Sequence, residues 1–203
     1  MKTKFLFAAL FLFAVIGITA QEAKYEIKSG IIKSTSDMGQ GSESILYFDD
    51  YGKKEATVAS RPNRDGGTVK MRTITKDGQR ISINLDEKTA SSFPMRESIN
   101  YLKLTQEVKD RNKIKELGDE TVAGKPCKKY SLEVANRMGG GDQTSTMTVW
   151  IWKGITLKST SSFGERTMTS TATEIQENAT VAADLFTVPS GITVEERQRG
   201  GGR

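Results

Sequence analysis

The sequence predicts a mainly β protein: an antiparallel meander of about ten or eleven strands with a helical insert, one or two helices, near its middle. Three observations carry this. Short runs rich in Thr, Val, Ile and aromatics alternate with turn signals about every ten residues, the spacing of an antiparallel meander. Several of those signals are Xaa-Gly pairs, Asp77-Gly78 the strongest, which suit two-residue hairpins. One stretch after Pro94 breaks the alternation with a helical stripe.

In chain order, Lys2 and Lys4 precede the apolar run Phe5–Ile18, and Thr19-Ala20 leads into polar Gln21-Glu22. A basic start, an apolar stretch and a small residue at the cut describe a secretory signal. The run is shorter than the about 20 apolar residues that span a bilayer. Residues 1–20 are therefore expected to be removed and the rest exported to the periplasm or cell envelope, the extracellular space included. No Cys follows the leader to carry a lipid.

Lys24–Ser34 reads as the first strand, with Tyr25, Ile27 and Ile31 inward. A Gly-rich loop spans 37–42. Ser44–Phe48 and Glu55–Ala59 form a hairpin about Asp49-Asp50-Tyr51-Gly52. A polar loop, Arg61–Gly67, precedes the strand around Val69–Ile74, and Arg80–Leu85 returns with Ile81, Ile83 and Leu85 on one face. Thr89–Phe93 is a short strand. Pro94 suits a first helical position, and Met95, Ile99, Leu102 and Gln106 share a face of one or two helices within 95–111. Strands resume at Ile114–Val122 and Pro126–Val134, and Gly139–Gly141 marks a hairpin loop. Ser145–Trp152, Ile155–Ser162 and Arg166–Gln176 follow. Ala182–Val188 makes a short helical turn, Ile192–Val194 adds a last strand, and a Gly/Arg tail is too polar to fold.

Composition excludes several functions. The chain has no His and one Cys, so His-based triads, common zinc sites and an internal disulfide are ruled out. Lys+Arg number 30 against 25 Asp+Glu. Two of the lysines belong to the leader and several arginines to the tail, which leaves no basic patch with interleaved aromatics and no case for nucleic acid. Asp49, Asp50 and Glu43 are near one another, but carboxylates at a hairpin tip are turn residues before they are an acid–base pair. Gly139–Gly141 lacks the Lys-Ser/Thr and the helix of a phosphate loop. Cys127, although flanked by Lys125, Lys128 and Lys129, reads first as a small buried hydrophobe. No catalytic residue, metal site or cofactor is expected, and the chain is not read as an enzyme.

The remaining signal is apolar. Trp150 and Trp152, both tryptophans of the chain, alternate with Val149 and Ile151, so this strand needs cover on both faces. Either side chains fill the space beside it, giving a structural or protein-interaction module, or the space remains as a binding cavity.

The order G-D-E-T-V-A-G-K-P-C-K-K-Y (Gly118–Tyr130), V-W-I-W-K-G-I-T-L-K-S (Val149–Ser159) and L-F-T-V-P-S-G (Leu185–Gly191) resembles the LolA-like superfamily of lipoprotein carriers and outer-membrane lipoprotein-sorting proteins. In particular it resembles a branch of uncharacterised secreted proteins common in Bacteroidota. The resemblance implies a strongly curved antiparallel sheet, an incomplete barrel with the one or two helices on its concave side, and an apolar cavity that accepts acyl chains. Trp150, Trp152 and Leu157 match the W-x-W-K-G-x-x-L-K motif. With Ile99 and Leu102 from the helical stripe and Tyr130 from the hairpin, they are the residues expected to line the cavity. The implied function is non-catalytic: an envelope protein that holds a lipid or lipidated partner. The implied organisation is a leader (1–20), a single LolA-like half-barrel domain (21–195) and a disordered tail (196–203). The carriers' latch, an Arg with an apolar-loop partner, has no counterpart in this chain.

Overall fold

The computed structural model describes residues 22–37, 42–62, 66–95, 98–136, 143–163 and 166–197. The leader, the centres of the loops at 37–42 and 61–67, the Gly139–Gly141 loop and the end of the tail lie outside these residues. The strands are β1 Gly30–Ser36, β2 Ser42–Asp49, β3 Lys54–Pro62, β4 Thr68–Lys76, β5 Gln79–Asn84 and β6 Thr89–Pro94. After a helical segment come β7 Lys115–Val122, β8 Lys125–Asn136, β9 Gln143–Trp152, β10 Ile155–Phe163, β11 Arg166–Glu177 and β12 Val194–Glu196. They form one sheet in the order β12-β6-β5-β4-β3-β2-β1-β11-β10-β9-β8-β7. Two meanders, β1–β6 and β7–β11, meet where β1 pairs with β11, and the sheet does not close into a barrel.

The open, mainly antiparallel sheet is the expected one, with twelve strands in place of ten or eleven. The last strand, expected at Ile192–Val194, is β12 at Val194–Glu196, and it runs parallel to β6, with Val194 opposite Ala90. Three short-range expectations are corrected. The first strand starts at Gly30, because the chain before it bonds to turns rather than to a ladder. Lys24 and Tyr25 both donate to Tyr51 O (2.9 and 3.1 Å), and Glu26 donates to Lys153 O (3.1 Å). On β1 the fully buried side chain is Ile32, with Ile31 half-buried. Pro94 ends β6 instead of opening a helix. It sits opposite Gln79, and β12 reaches only as far as Ser92, so the missing N–H falls at a free edge where proline is tolerated.

The helical segment is correspondingly short. A 3-10 turn at Tyr101–Lys103 is capped by Asn100, whose side chain accepts from Leu102 N (3.0 Å). Helix α1, Gln106–Arg111, is capped by the Thr105 hydroxyl accepting from Val108 N (3.3 Å). We call residues 98–112 the strap. Its Ile99, Tyr101, Leu104 and Val108 pack on Ile114, Tyr130, Leu132, Val149 and Ile151. A larger cluster joins Ile32, Phe48, Val122, Cys127, Trp150, Trp152, Ile155, Leu157 and Ala172. A third gathers Ile74, Ile83 and Ala90 under Val188, Ile192 and Val194, so the chain's end seals the β5–β6 side of the sheet.

Candidate ligand cavity

Alternation along β9 sends its side chains to two different places. Val149 and Ile151 face the strap, while Trp150 and Trp152 join the larger cluster. The space that stays open lies farther along the strap face. Met95, Ser98, Ile99 and Tyr101 form one wall of a cavity of about 510 Å3. Its other lining residues include Leu46 of β2, Thr57 of β3, Thr73 and Thr75 of β4, Arg80 of β5 and Thr156 of β10. In sheet order β5 and β10 are six positions apart. In a flat sheet at about 4.8 Å per strand they would be about 29 Å apart. One cavity of this size touching both requires the sheet to curl round it.

A charged network closes one part of the cavity. Lys24 Nζ lies 3.1 Å from Glu55 Oε2, with side chains only 18% and 15% exposed. The Tyr25 hydroxyl donates to the other oxygen, Glu55 Oε1. Burial first, and then the Glu55 charge, push the Tyr25 phenol well above its ordinary range. On the strap wall, burial and the neighbouring Tyr130 push Tyr101 up to about 12. Both phenols are therefore neutral at physiological pH. Tyr25 also packs edge-on against Phe48, ring centroids 4.9 Å apart, which fixes the network to the core.

The six residues expected to line a cavity are divided among this cavity, the strap contact and the larger cluster. Ile99 does line it. Leu102 abuts the β9–β10 turn, where a Cβ on Gly154 would lie 3.1 Å from its Cδ2. Tyr130 packs beneath the strap, its ring 5.9 Å from that of Tyr101. Trp150, Trp152 and Leu157 are buried in the larger cluster and are not among the residues lining this cavity. The lining that sequence reading missed is the threonine set. The alternation of Thr73 with Thr75 on β4 was its one visible signal. Of the carboxylates near the first hairpin tip, Asp50 sits in the β2–β3 turn with φ 50° and pairs with Lys53 (3.6 Å). Among the described residues no group of three or more metal-ligating side chains converges.

The tryptophans have a different role. Lys125 and Lys153 each place Nζ 4.8 Å from the ring centre of Trp152. Lys129 and Lys158 do the same for Trp150, at 4.8 and 4.3 Å. Glu177 ties the first pair (2.6 and 3.2 Å) and Glu120 the second (3.2 and 3.6 Å). The indole N–H of Trp150 has no partner in conventional hydrogen-bond geometry. It is nonetheless near enough to Glu120 to be the largest influence holding that carboxyl below its usual range, ahead of Lys129. Four lysine stems thus seal two indoles, each cation–π contact contributing about 0.5–1 kcal/mol at such half-exposed sites.

A family model described as Domain of unknown function (DUF4412) matches residues 29–190. The chain belongs to that family. The match runs to the Pro189-Ser190 turn, so the strap, the lysines around the two tryptophans and all of the described cavity lining except Lys24 and Tyr25 lie within the DUF4412 region. No curated protein matches this DUF4412 chain by sequence. Among solved structures it is similar to an uncharacterized conserved protein from Thermus thermophilus (9% identity, 85% of this chain and 92% of that one, TM-score 0.55). It is also similar to a chain of the Pseudomonas aeruginosa MucA/MucB complex (13% identity, TM-score 0.50), covering 82% of this chain and 57% of that one. The Mycobacterium tuberculosis lipoprotein LppX matches at 14% identity over 77% and 91% of the two chains, TM-score 0.40. At these identities the likeness is one of fold alone.

Proposed function

We propose that this chain is a non-catalytic binding protein of the cell envelope, and that it holds a lipid or lipidated partner between the strap and the sheet. The observation that carries the reading is the space of about 510 Å3 left under Ile99 and Tyr101. It falls within the roughly 300–1,000 Å3 typical of small-molecule sites. A purely structural module would pack this space as it packs the rest of the strap face. The lining joins Leu46, Met95 and Ile99 to threonine hydroxyls, so the occupant is an amphiphile rather than a bare hydrocarbon chain. Each buried CH₂ contributes about 0.8 kcal/mol, enough for a short acyl segment to bind without a charged contact. The leader at residues 1–20 supports export, and the membership of a chain of this fold in a two-protein complex supports a binding role.

The test is titration of delipidated protein with a fluorescent fatty acid. Ile99→Trp, which fills the cavity from its strap wall, weakens the probe by about tenfold or more, a loss of at least about 1.4 kcal/mol. Trp150→Ala leaves probe affinity unchanged, because that indole lies in another cluster. Failure of the delipidated wild-type protein to bind the probe overturns the reading and leaves the interaction module.

A further inference from the structure

We infer that the occupant of this cavity is an amphiphile with a single anionic head, and that Arg80 is the residue that selects for it. The inference rests on the cavity reading above and follows from a charge account of the described lining residues. Three of them carry charge: Lys24, Glu55 and Arg80. Lys24 and Glu55 cancel at 3.1 Å, and the second carboxylate oxygen of Glu55 is taken by the Tyr25 hydroxyl. The phenols of Tyr25 and Tyr101 stay neutral. What remains is one positive charge, the solvent-exposed Arg80, whose guanidinium is, among the described residues, engaged by no ion pair or hydrogen bond. Thr75 stands opposite Arg80 across the β4–β5 ladder and opposite Glu55 across β3–β4. Its hydroxyl therefore sits between the neutralised pair and the free guanidinium, as a second donor. A planar guanidinium grips a carboxylate or phosphate through two parallel N–H donors. The apolar wall of Leu46, Met95, Ile99 and Tyr101 then takes the tail.

The experiment uses a neutral probe, Nile red, on the delipidated protein, displaced by twelve-carbon competitors that differ only in the head. Dodecanoate and dodecyl phosphate are expected to displace it about five- to tenfold better than dodecanol, the range of a charge-assisted contact at a half-open site. Dodecyltrimethylammonium is expected to be the weakest competitor. In Arg80→Gln the anion preference disappears while dodecanol competes as before. Arg197→Gln, a charge-matched control just past β12 and not among the described cavity-lining residues, keeps the preference. Equal competition by dodecanoate, dodecyl phosphate and dodecanol in the wild type overturns the inference and leaves the cavity reading standing. So does a preference that survives in Arg80→Gln. Nile red binding that Ile99→Trp does not weaken overturns the cavity reading, and this inference with it. The better of the two anions distinguishes a carboxylate source from a phosphate source.

Discussion

Replacing Gly154 by alanine strikes the point where the N-terminal segment, the β9–β10 hairpin and the strap meet. Gly154 follows Lys153 in a two-residue turn, with φ of 49° and 83°. Ala123-Gly124 makes the same kind of turn between β7 and β8, with φ of 47° and 73°. Alanine in this left-handed region costs about 1–2 kcal/mol in either turn. The surroundings differ. A Cβ on Gly124 meets nothing within 4 Å, whereas one on Gly154 would lie 2.2 Å from Lys24 O. A backbone oxygen cannot rotate away, so Lys24–Glu26 must lift. The Glu26 N–Lys153 O bond (3.1 Å) is then lost, at about 1 kcal/mol. Partial unseating of Tyr25 from Phe48 adds about another 1 kcal/mol or more. Gly154→Ala should therefore cost about 3–5 kcal/mol and Gly124→Ala about 1–2 kcal/mol. Urea unfolding of both variants at matched m-value reads the difference as a shift in midpoint. Probe affinity should also fall in Gly154→Ala alone, since Gly154 lines the cavity. Equal destabilisation by the two variants would refute the claim that this contact pins the segment.

Two further outcomes concern the lysine ladder and Cys127. Glu120 is held below its ordinary 4.5 by Trp150 and then by Lys129. A depressed folded-state pKa gives stability that is complete above the unfolded value and is lost as pH falls through the lowered one. Glu120→Gln should therefore flatten the decline in stability below about pH 4.5, read by tryptophan emission, to which only Trp150 and Trp152 contribute. An unchanged acid limb would show that the carboxylate does not hold the ladder. Cys127 is 1% exposed, and burial is the first cause that raises its thiol. A thiol reagent should label native protein orders of magnitude more slowly than protein in urea, because labelling awaits opening. Comparable rates would give Cys127 a reactive role.

What was legible in the chain depended on local chemistry. Asp77-Gly78, Ala123-Gly124 and Lys153-Gly154 announce hairpins because positive φ at two successive residues is a local demand, and all three turns are present. Ile81, Ile83 and Leu85 on one face were readable from period-2 alternation, and they pack in one cluster. The lysine ladder was not readable. Lys125 and Lys129 come from β8, Lys153 from a turn and Lys158 from β10, and only the cross-strand register, Lys129 opposite Trp150 opposite Lys158, stacks them on the rings. The last strand was expected, but its parallel pairing with β6 was hidden for a similar reason, since three residues carry no period and their partner is set by the packing of Val188 and Ile192. The helical stretch within 95–111 is present but shorter than its stripe, because Ile99 precedes the 3-10 turn that holds Leu102, and Gln106 only opens α1. Pro94 stays within a strand because the neighbouring strand stops short of it.

The cavity stays open because of which side chains face it, not because the protein lacks apolar residues. Where the strap crosses β8 and β9, it meets Tyr130, Leu132, Val149 and Ile151, and the contact closes. Where it crosses toward β3 and β4, it meets Thr57, Thr73 and Thr75. Threonine is too short to reach the strap, and its hydroxyl loses hydrogen bonds to water if apolar groups cover it. Burying three of them dry would cost several kcal/mol, more than Met95 and Ile99 could return by closing down. The strap is instead held off by contacts at its ends: Asn100 Nδ2 on Ala23 O (2.9 Å), and Tyr101 and Val108 in the cluster beyond. Substituting the floor should therefore decide the matter. Thr57→Val with Thr73→Val keeps the shape and removes two hydroxyls, which should raise affinity for the neutral competitor dodecanol relative to dodecanoate. It should leave the unfolding midpoint unchanged or raised. A fall in stability would mean that the threonine hydroxyls hold the fold together, and that the open space is incidental to them.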